Sequence, residues 1–207
     1  MGPSNTTSNT EARERVLEAA ERLFAERGYT SVTLRDIAGA VGIRHASLYH
    51  HAPGGKEELF VEVTERNLRR HQDGLEQAIG RAAPDVRSRL RAAAEWLLSQ
   101  PPMDLVRMTH SDMPAIDDEH AARLTLMAYN ALLSPVEQVL DDAREQGEIA
   151  HDIPGLVAGG VVGMIESLYA VPDSALAEQT RIAMAYTLID TLLHGLYPRP
   201  DTAEVSG

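Results

Sequence analysis

The chain has 207 residues, a net charge of −12 at neutral pH, 43% hydrophobic and 4% aromatic residues, and no cysteine. The absence of thiols excludes disulfides, thiolate nucleophiles and zinc–thiolate sites. No stretch stays apolar over the roughly eighteen residues that a membrane span needs, and the polar start of the chain does not have the form of a signal peptide. We therefore expect a cytoplasmic chain with no membrane partner, and its aromatic-poor composition favours helices packed on helices.

The negative charge is unevenly distributed along the sequence. Residues 11–70 carry ten basic and ten acidic side chains, whereas the rest of the chain carries nine basic and twenty-one acidic ones. DNA phosphates would repel that acidic remainder. Any contact with nucleic acid is therefore expected in the first third of the chain.

Three helices are predicted in that first third. Apolar residues spaced three and four apart predict the first helix over about residues 10–27. Thr33-x-x-Asp36 has the form of a capping box and opens a second, short helix that Gly42 ends. A third short helix covers about residues 45–51, and Leu48 is its inward anchor.

The rest of the chain also predicts helices, and strand alternation appears nowhere in the sequence. The fold class is therefore all-α, with about nine helices. The later elements are helices at about 56–79, 84–100 (ended by Pro101 and Pro102) and 118–146 (kinked at Pro135), a short segment at 103–110 with a loop at 111–117, and two apolar helices at 154–171 and 174–196.

Two short helices joined by a turn containing glycine are typical of a helix-turn-helix, whose second helix enters the major groove of DNA. The sequence here has F-x-x-x-G-Y, then T-L-R-D-I-A, a glycine turn, S-L-Y and K-E-E-L. Over roughly residues 11–62 this order resembles the N-terminal DNA-binding domain of the TetR family of transcriptional regulators. The later two-thirds resembles the family only in being helical.

The resemblance implies that some of the DNA-contacting residues contact bases and others contact phosphates. Arg44, His45 and Ser47 would face bases, and Ala46 could approach a thymine methyl group. Phosphates would be contacted by the remaining four residues, which are Thr33, Tyr49, His50 and Lys56.

Three positions depart from the family pattern. Arg44 stands where the family often has Ser or Thr, so we expect the third helix to lack a side-chain cap, at a cost of about 1 kcal/mol, and Arg44 to be available for a guanine. In the family an aromatic residue usually follows the histidine that His51 matches, but here Ala52 follows it. Gly55 looks like one residue inserted relative to the family pattern. Both changes affect the start of the fourth helix, where Lys56 lies.

The resemblance also implies a domain organisation, with a flexible tail at 1–9, a DNA-binding head at 10–55, a helical effector-binding and dimerisation domain at 56–199, and a second tail at 200–207. The candidate effector-pocket residues are Trp96, Met103, Met108, Met113, Met127, Tyr129, Glu166 and Tyr169. The candidate homodimer interface comprises Gly159, Gly160, Gly163, Ile182, Tyr186, Ile189 and Leu193. A symmetric dimer would bind a palindromic operator in double-stranded DNA.

Alternative interpretations of the sequence remain open. Between residues 109 and 120, His110, Asp112 and His120 could hold a divalent metal or the segment could bind a cationic effector, although a solvated loop before a helix explains the same pattern. No nucleophile elbow, phosphate loop or HExxH motif occurs, so we expect neither an enzyme nor a cofactor. The sequence favours a repressor released by an unknown small molecule, with an activator or a metal-responsive regulator as alternatives.

Overall fold

A computed structural model describes residues 4–150, 154–176 and 180–196. Over these residues the chain is helical and contains no strand, so the expected all-α class is confirmed. None of the helices in the described ranges is long and apolar enough to cross a membrane. The predicted tail at 200–207 and residues 1–3 of the predicted first tail lie outside them. The α-helical segments are α1 (Ser4–Ser31), α2 (Leu34–Val41), α3 (His45–Leu48), α4 (Gly55–Arg81), α5 (Val86–Ser99), α6 (Leu105–Arg107), α7 (Asp118–Ala128), α8 (Ser134–Glu145), α9 (Pro154–Ser167) and α10 (Arg181–Leu196).

The chain divides into two compact units. Unit 1 comprises the chain up to Arg70 together with Met103–Ala128, and unit 2 comprises His71–Pro102 and the chain from Tyr129 onward. These two units are defined by which residues pack together. The boundary predicted from the sequence, between residues 55 and 56, separates DNA binding from effector binding and dimerisation, and it stays a prediction.

Helix α1 begins at Ser4, earlier than the predicted start at Thr10. Ser, Thr and Asn cost only about 0.5 kcal/mol each inside a helix, so a helix that has already formed extends through them. Near its other end Gly28 has φ 76° and ψ 166° and breaks the helix, as the sequence predicts. Only glycine adopts that conformation without strain.

Unit 1 has a core built from the predicted apolar stripes. Val16, Ala20 and Phe24 of α1 are buried, as are Leu59 and Phe60 of α4. The rings of Phe24 and Phe60 meet edge to face with centroids 5.3 Å apart, a geometry that aromatic pairs prefer. Outside this core, ion pairs join the same two helices, including Arg13 with Glu62 at 2.5 Å.

The prediction of a loop at 111–117 is wrong for most of its length. Helix α6 continues into a π-helical turn, Met108–Asp112, and then a 3-10 turn, Met113–Ala115. The Asp104 carboxylate accepts from the Arg107 N–H at 2.8 Å and caps the start of this segment. Pro114 does not end it, because proline fits the first turn of a helix, where its missing N–H has no partner.

The helix predicted over 118–146 occurs as two helices separated by a π-helical turn. Helix α7 ends at Ala128, the turn covers Tyr129–Leu133, and α8 begins at Ser134. Pro135 explains the interruption, because it lacks an N–H and its ring clashes with the carbonyl four residues earlier.

Unit 2 buries α10 against α5. Leu90 and Leu97 of α5 and Ile189 and Leu193 of α10 are at most 1% exposed, and Arg91 pairs with Asp190 at 2.9 Å beside them. Helix α10 begins at Arg181 instead of the predicted Ser174. A 3-10 turn, Asp173–Ala175, stands in the earlier stretch, residues 177–179 lie outside the described ranges, and the Thr180 hydroxyl accepts from the Ala183 N–H at the helix start.

Gly74 in α4 gives a direct test of packing in unit 2. A Cβ at Gly74 would lie 2.0 Å from the ring of Trp96, whereas a Cβ at Gly80 in the same helix meets no atom within 4 Å. We expect Gly74→Ala to destabilise the fold by about 1–3 kcal/mol through overpacking, partly offset by about 1 kcal/mol of helix propensity.

Trp96 is the single tryptophan, so denaturant unfolding followed by its fluorescence measures the effect. The control Gly80→Ala should be neutral or stabilising. Equal stability of the two variants would contradict the close contact.

Candidate nucleic-acid interface

The elements that form the helix-turn-helix are fixed by local hydrogen bonds. Thr33 and Asp36 form the predicted capping box at the start of α2. At its other end Gly42 adopts the left-handed conformation, with φ 76° and ψ 29°, and the Ile43 N–H donates to the Ala38 carbonyl at 3.0 Å. The turn thus satisfies carbonyls that the end of a helix leaves without partners.

Helix α3 lies with one apolar side inward. Leu48 has no exposed surface, and Ile37 and Ala38 of α2 are buried with it. Ile43 is half-buried. Helix α3 ends at Leu48 instead of near His51, and the His51 and Ala52 N–H groups both donate to the Leu48 carbonyl in the turn that follows.

The other residues of α3 and those that flank it are accessible, and most of them are polar or aromatic. Arg44, Ala46, Tyr49 and His50 are exposed, and His45 and Ser47 are partly exposed. The rings of His45 and Tyr49 meet edge to face at 5.5 Å. Six of the eight predicted DNA contacts are therefore exposed or partly exposed.

Arg44 occupies the N-cap position of α3 without a side-chain cap hydrogen bond, which confirms the expected loss of the cap. Its guanidinium is therefore not engaged at the helix start. Arginine can donate two parallel hydrogen bonds to one guanine, and the N-terminal residues of a recognition helix are those that meet base edges.

The other two predicted contacts have partners within unit 1. Both the N–H and the hydroxyl of Thr33 donate to Asp36, at 2.8 and 2.6 Å. The Lys56 ammonium donates to the Tyr29 carbonyl at 2.9 Å and lies 4.0 Å above the centroid of the Tyr29 ring. Thr33 would have to exchange these partners to bind a phosphate, whereas the Lys56 ammonium has three donors and can bind one while it keeps its bond to Tyr29.

The capping box also sets a pH dependence. Hydrogen bonds from the Thr33 hydroxyl and N–H hold the pKa of Asp36 below its ordinary value of 3.8. A depressed carboxyl pKa stabilises the fold fully above the unfolded-state value, and this contribution is lost as the pH falls through the folded-state value. We expect Thr33→Ala to cost about 1 kcal/mol at neutral pH and to raise the Asp36 pKa towards 3.8 in an NMR titration.

Thr125→Ala is the matched control for that variant, because the Thr125 hydroxyl bonds only to the preceding turn of its own helix. It should leave the Asp36 titration unchanged. An unaltered Asp36 pKa in Thr33→Ala would refute the assigned capping role.

The two remaining departures from the family pattern lie just before α4. Ala52 is buried at 1% exposure, so this position belongs to the core although its side chain is small. Gly55 has φ 77° and begins α4. A left-handed residue at this point turns the chain into the helix, which accounts for a glycine there.

The candidate effector residues do not form one cluster within either unit. Met103, Met108, Met113 and Met127 belong to unit 1, and the other four belong to unit 2. Met113 is buried. A cleft of about 350 Å³ in unit 1 is lined by residues outside the predicted set, namely Gly54, Glu58, Val61, Glu62, Glu65, His120 and Arg123.

The unit 2 candidates make contacts that explain their positions structurally. The Tyr169 hydroxyl lies 2.9 and 2.5 Å from the carbonyl oxygens of Leu97 and Gln100, at the end of α5. Burial raises the pKa of Tyr169 to about 12, with a further contribution from the charge of Glu166. Trp96 lies on Gly74, and the Tyr129 hydroxyl bonds to Glu137.

The residues proposed for a metal site are separated by their own interactions. Asp112 is 4% exposed and accepts from the Tyr29 N–H, while His120 pairs with Glu57 at 2.7 Å. His110 is exposed on the π-helical turn. Across the described ranges no three His, Asp or Glu residues are grouped as metal ligands.

The candidate dimer residues fall into two sets. Ile189 and Leu193 are buried within unit 2 and have no surface to offer a partner, because α10 packs on α5. Gly160 and Gly163 are exposed and Gly159 is partly exposed, Ile182 is 41% exposed, and Tyr186 bonds to Glu95. Leu156 is 69% exposed on α9 and is not among the predicted interface residues.

Comparison with known proteins gives this interface a context. Residues 16–63 match the family model described as bacterial regulatory proteins, tetR family. The chain is 36% identical over 91 residues to the HTH-type transcriptional activator FasR of Mycolicibacterium smegmatis, a match that covers 44% of this chain and 41% of FasR. It is 37% identical over 120 residues to the HTH-type transcriptional repressor KstR2 of Rhodococcus jostii, covering 56% of this chain and 54% of KstR2.

The chain therefore spans about half of these curated relatives or less. A solved structure is similar over more of the chain, namely the crystal structure of AibR in complex with isovaleryl coenzyme A and operator DNA. The match has a TM-score of 0.69 and 21% identity, and it covers 90% of this chain and 98% of the AibR chain. At this identity the likeness establishes the fold.

Proposed function

We propose that the chain is a transcriptional repressor of the tetR family of bacterial regulatory proteins, whose family model its residues 16–63 match. In this proposal it binds a palindromic operator as a homodimer and is released by a small-molecule effector. The observation that carries the DNA-binding part is the run of accessible residues, 44–47 and 49–50, around the buried anchor Leu48. An α-helix presented in this way fits the major groove.

The roles of the residues follow from their chemistry. Arg44, His45 and Ser47 read base edges, and Ala46 leaves room for a thymine methyl group. Tyr49 and His50 bind phosphates, which fix the register of the helix on the duplex. Thr33 joins them when it exchanges its internal partner for a phosphate oxygen, and Lys56 joins them through the donors that it does not use on Tyr29.

The homodimer is proposed to form through the exposed sides of α9 and α10. Leu156, Gly160 and Gly163 recur at helical spacing on α9, and small residues allow helices to approach closely. Ile182 and Ala183 begin the exposed side of α10. A two-fold axis then places two α3 helices in successive major grooves, with half-sites roughly 34–36 Å apart.

The proposal that a small-molecule effector releases the protein from DNA is supported by a structural relative. AibR, which shares the fold, is described with both isovaleryl coenzyme A and operator DNA bound. An effector here acts through its differential affinity for the DNA-binding and DNA-free states. A thermal-shift screen of small molecules, with hits retested for loss of operator binding, identifies it.

Selection of bound duplexes from a random double-stranded library tests the DNA-binding proposal. We expect an enriched palindrome whose half-sites are about one helical turn apart, bound by a dimer in mass photometry. A folded protein that enriches no sequence would refute the proposal.

An activator is the second candidate, because FasR is described as one. The position of the selected operator relative to the promoter separates the two roles. Overlap with the polymerase site, and transcription that rises when the gene is deleted, support a repressor. An upstream operator with transcription that falls supports an activator.

A further inference from the structure

Asp112 is the buried carboxylate among the described residues, and it lies far in sequence from its partner. Its side chain is 4% exposed and stands on the π-helical turn Met108–Asp112. One oxygen accepts from the Tyr29 N–H at 2.8 Å, and the other lies 3.4 Å from the Arg107 Nε. A buried charge is costly unless it is paired and hydrogen-bonded, as this one is.

The pair occupies the break in α1. In an uninterrupted helix the Tyr29 N–H would donate to the Ala25 carbonyl. Here that N–H donates to Asp112, and the Ala25 carbonyl accepts from the Arg107 Nη2 at 2.8 Å. Asp112 thus satisfies the N–H donor, and Arg107 the carbonyl acceptor, of one helical hydrogen bond that the break interrupts.

Gly28 makes room for this arrangement. A Cβ at Gly28 would lie 3.0 Å from the Arg107 Cδ and 3.1 Å from an Asp112 carboxylate oxygen. The residue also has φ 76°. The conformation therefore requires glycine at the break, and the tight space disfavours a side chain there.

Tyr29 connects the pair to the DNA-reading helices. Its ring lies 4.9 Å from Phe60, its carbonyl accepts from Lys56, and the Val32 N–H donates back to it at 3.4 Å. Thr33, the cap of α2, follows immediately. The placement of Tyr29 therefore sets where α2 and α3 begin.

We propose that Asp112, together with Arg107, is a positioning residue for DNA reading: the ion pair in the break of α1 fixes Tyr29 and through it the placement of α2 and α3. This inference rests on the proposed DNA-binding function. It makes the segment Leu105–Ala115 part of the DNA-binding apparatus, although that segment contacts no DNA in the proposed function.

Three variants test the proposal in the full-length chain. Asp112→Ala removes both interactions, Asp112→Asn keeps an acceptor for the Tyr29 N–H but removes the ion pair, and Asp118→Ala removes an exposed carboxylate of the neighbouring helix as a control. We expect amide hydrogen exchange at Tyr29 to be about tenfold faster in Asp112→Ala, less accelerated in Asp112→Asn, and unchanged in the control.

Operator affinity is the functional readout, measured on the active fraction of each protein. We expect Asp112→Ala to weaken binding about tenfold without changing the salt dependence, because the phosphate contacts stay the same in number. Leu90→Ala, a core variant of unit 2, controls for destabilisation and should keep the affinity of its active fraction. Arg107→Gln combined with Asp112→Asn should cost no more than either change alone.

Unchanged exchange at Tyr29, or an Asp112→Ala protein whose active fraction binds the operator like the unmodified chain, would overturn the positioning role. If the unmodified chain selects no DNA, the proposed function fails instead. The exchange rates at Tyr29 then decide by themselves whether the pair fixes this turn.

Discussion

Replacing Leu48 with alanine is expected to abolish operator binding while most of the helical structure is kept. Leu48 has no exposed surface and anchors a helix of four residues, His45–Leu48. Removing a buried leucine side chain costs about 2–5 kcal/mol. So short a helix has no intrinsic stability to compensate, because isolated helices below about 12 residues are marginal in water.

Circular dichroism and fluorescence anisotropy with labelled operator measure the two effects. Leu126→Ala is the matched control, because Leu126 is 62% exposed on α7 and its truncation should change neither stability nor binding by much. A Leu48→Ala protein that binds the operator with undiminished affinity would show that α3 is not the reading helix.

Replacing Arg44 with alanine is expected to relax sequence preference more than it lowers general DNA affinity. A bidentate contact from arginine to guanine discriminates by about 1–3 kcal/mol, which is about 5- to 150-fold in affinity. The loss should appear at one base pair in each half-site, because the remaining contacts are unchanged.

Competition binding against operators with single base changes measures this effect. Arg22→Ala removes the same charge from an exposed position on α1 and should weaken binding to all sequences equally, if at all. Equal losses at every base pair in Arg44→Ala would assign Arg44 to the phosphate backbone instead.

The helix-turn-helix is the part of the fold that the sequence predicts best, for local reasons. The capping box of Thr33 and Asp36 and the left-handed Gly42 act between residues a few positions apart. The inward side of α3 follows from the single apolar position, Leu48. Both features can be predicted from residues close together in the sequence, whereas the placement of α2 and α3 is what we propose Asp112 to fix.

Long-range packing explains why the predictions for α10 and for residues 111–117 are wrong. Ile189 and Leu193 have the spacing expected of an exposed apolar stripe, but α5 covers them. Residues 111–117 contain Pro114 and two acids, Asp112 and Asp117, and therefore predict a loop. Residues 111–115 are nevertheless helical in the fold, where Asp112 bonds to Tyr29 across 83 positions of sequence.

The internal partners of Thr33 and Lys56 could not be predicted from residue type. A threonine at a helix start and a lysine after a turn are equally suited to bind a phosphate or a neighbouring carbonyl. The fold gives each an internal acceptor, Asp36 for Thr33 and the Tyr29 carbonyl for Lys56. The part of Thr33 in DNA binding therefore depends on an exchange of partners, and no spacing pattern encodes these internal contacts.

The ratio of affinities for the selected operator and for a scrambled duplex of the same composition, measured by anisotropy at one salt concentration, tests the central claim most directly. If residues 33–50 read sequence, the ratio is at least about a thousandfold and falls in Arg44→Ala. Equal affinities for the two duplexes would contradict the account, because a protein that binds only through phosphates does not distinguish them.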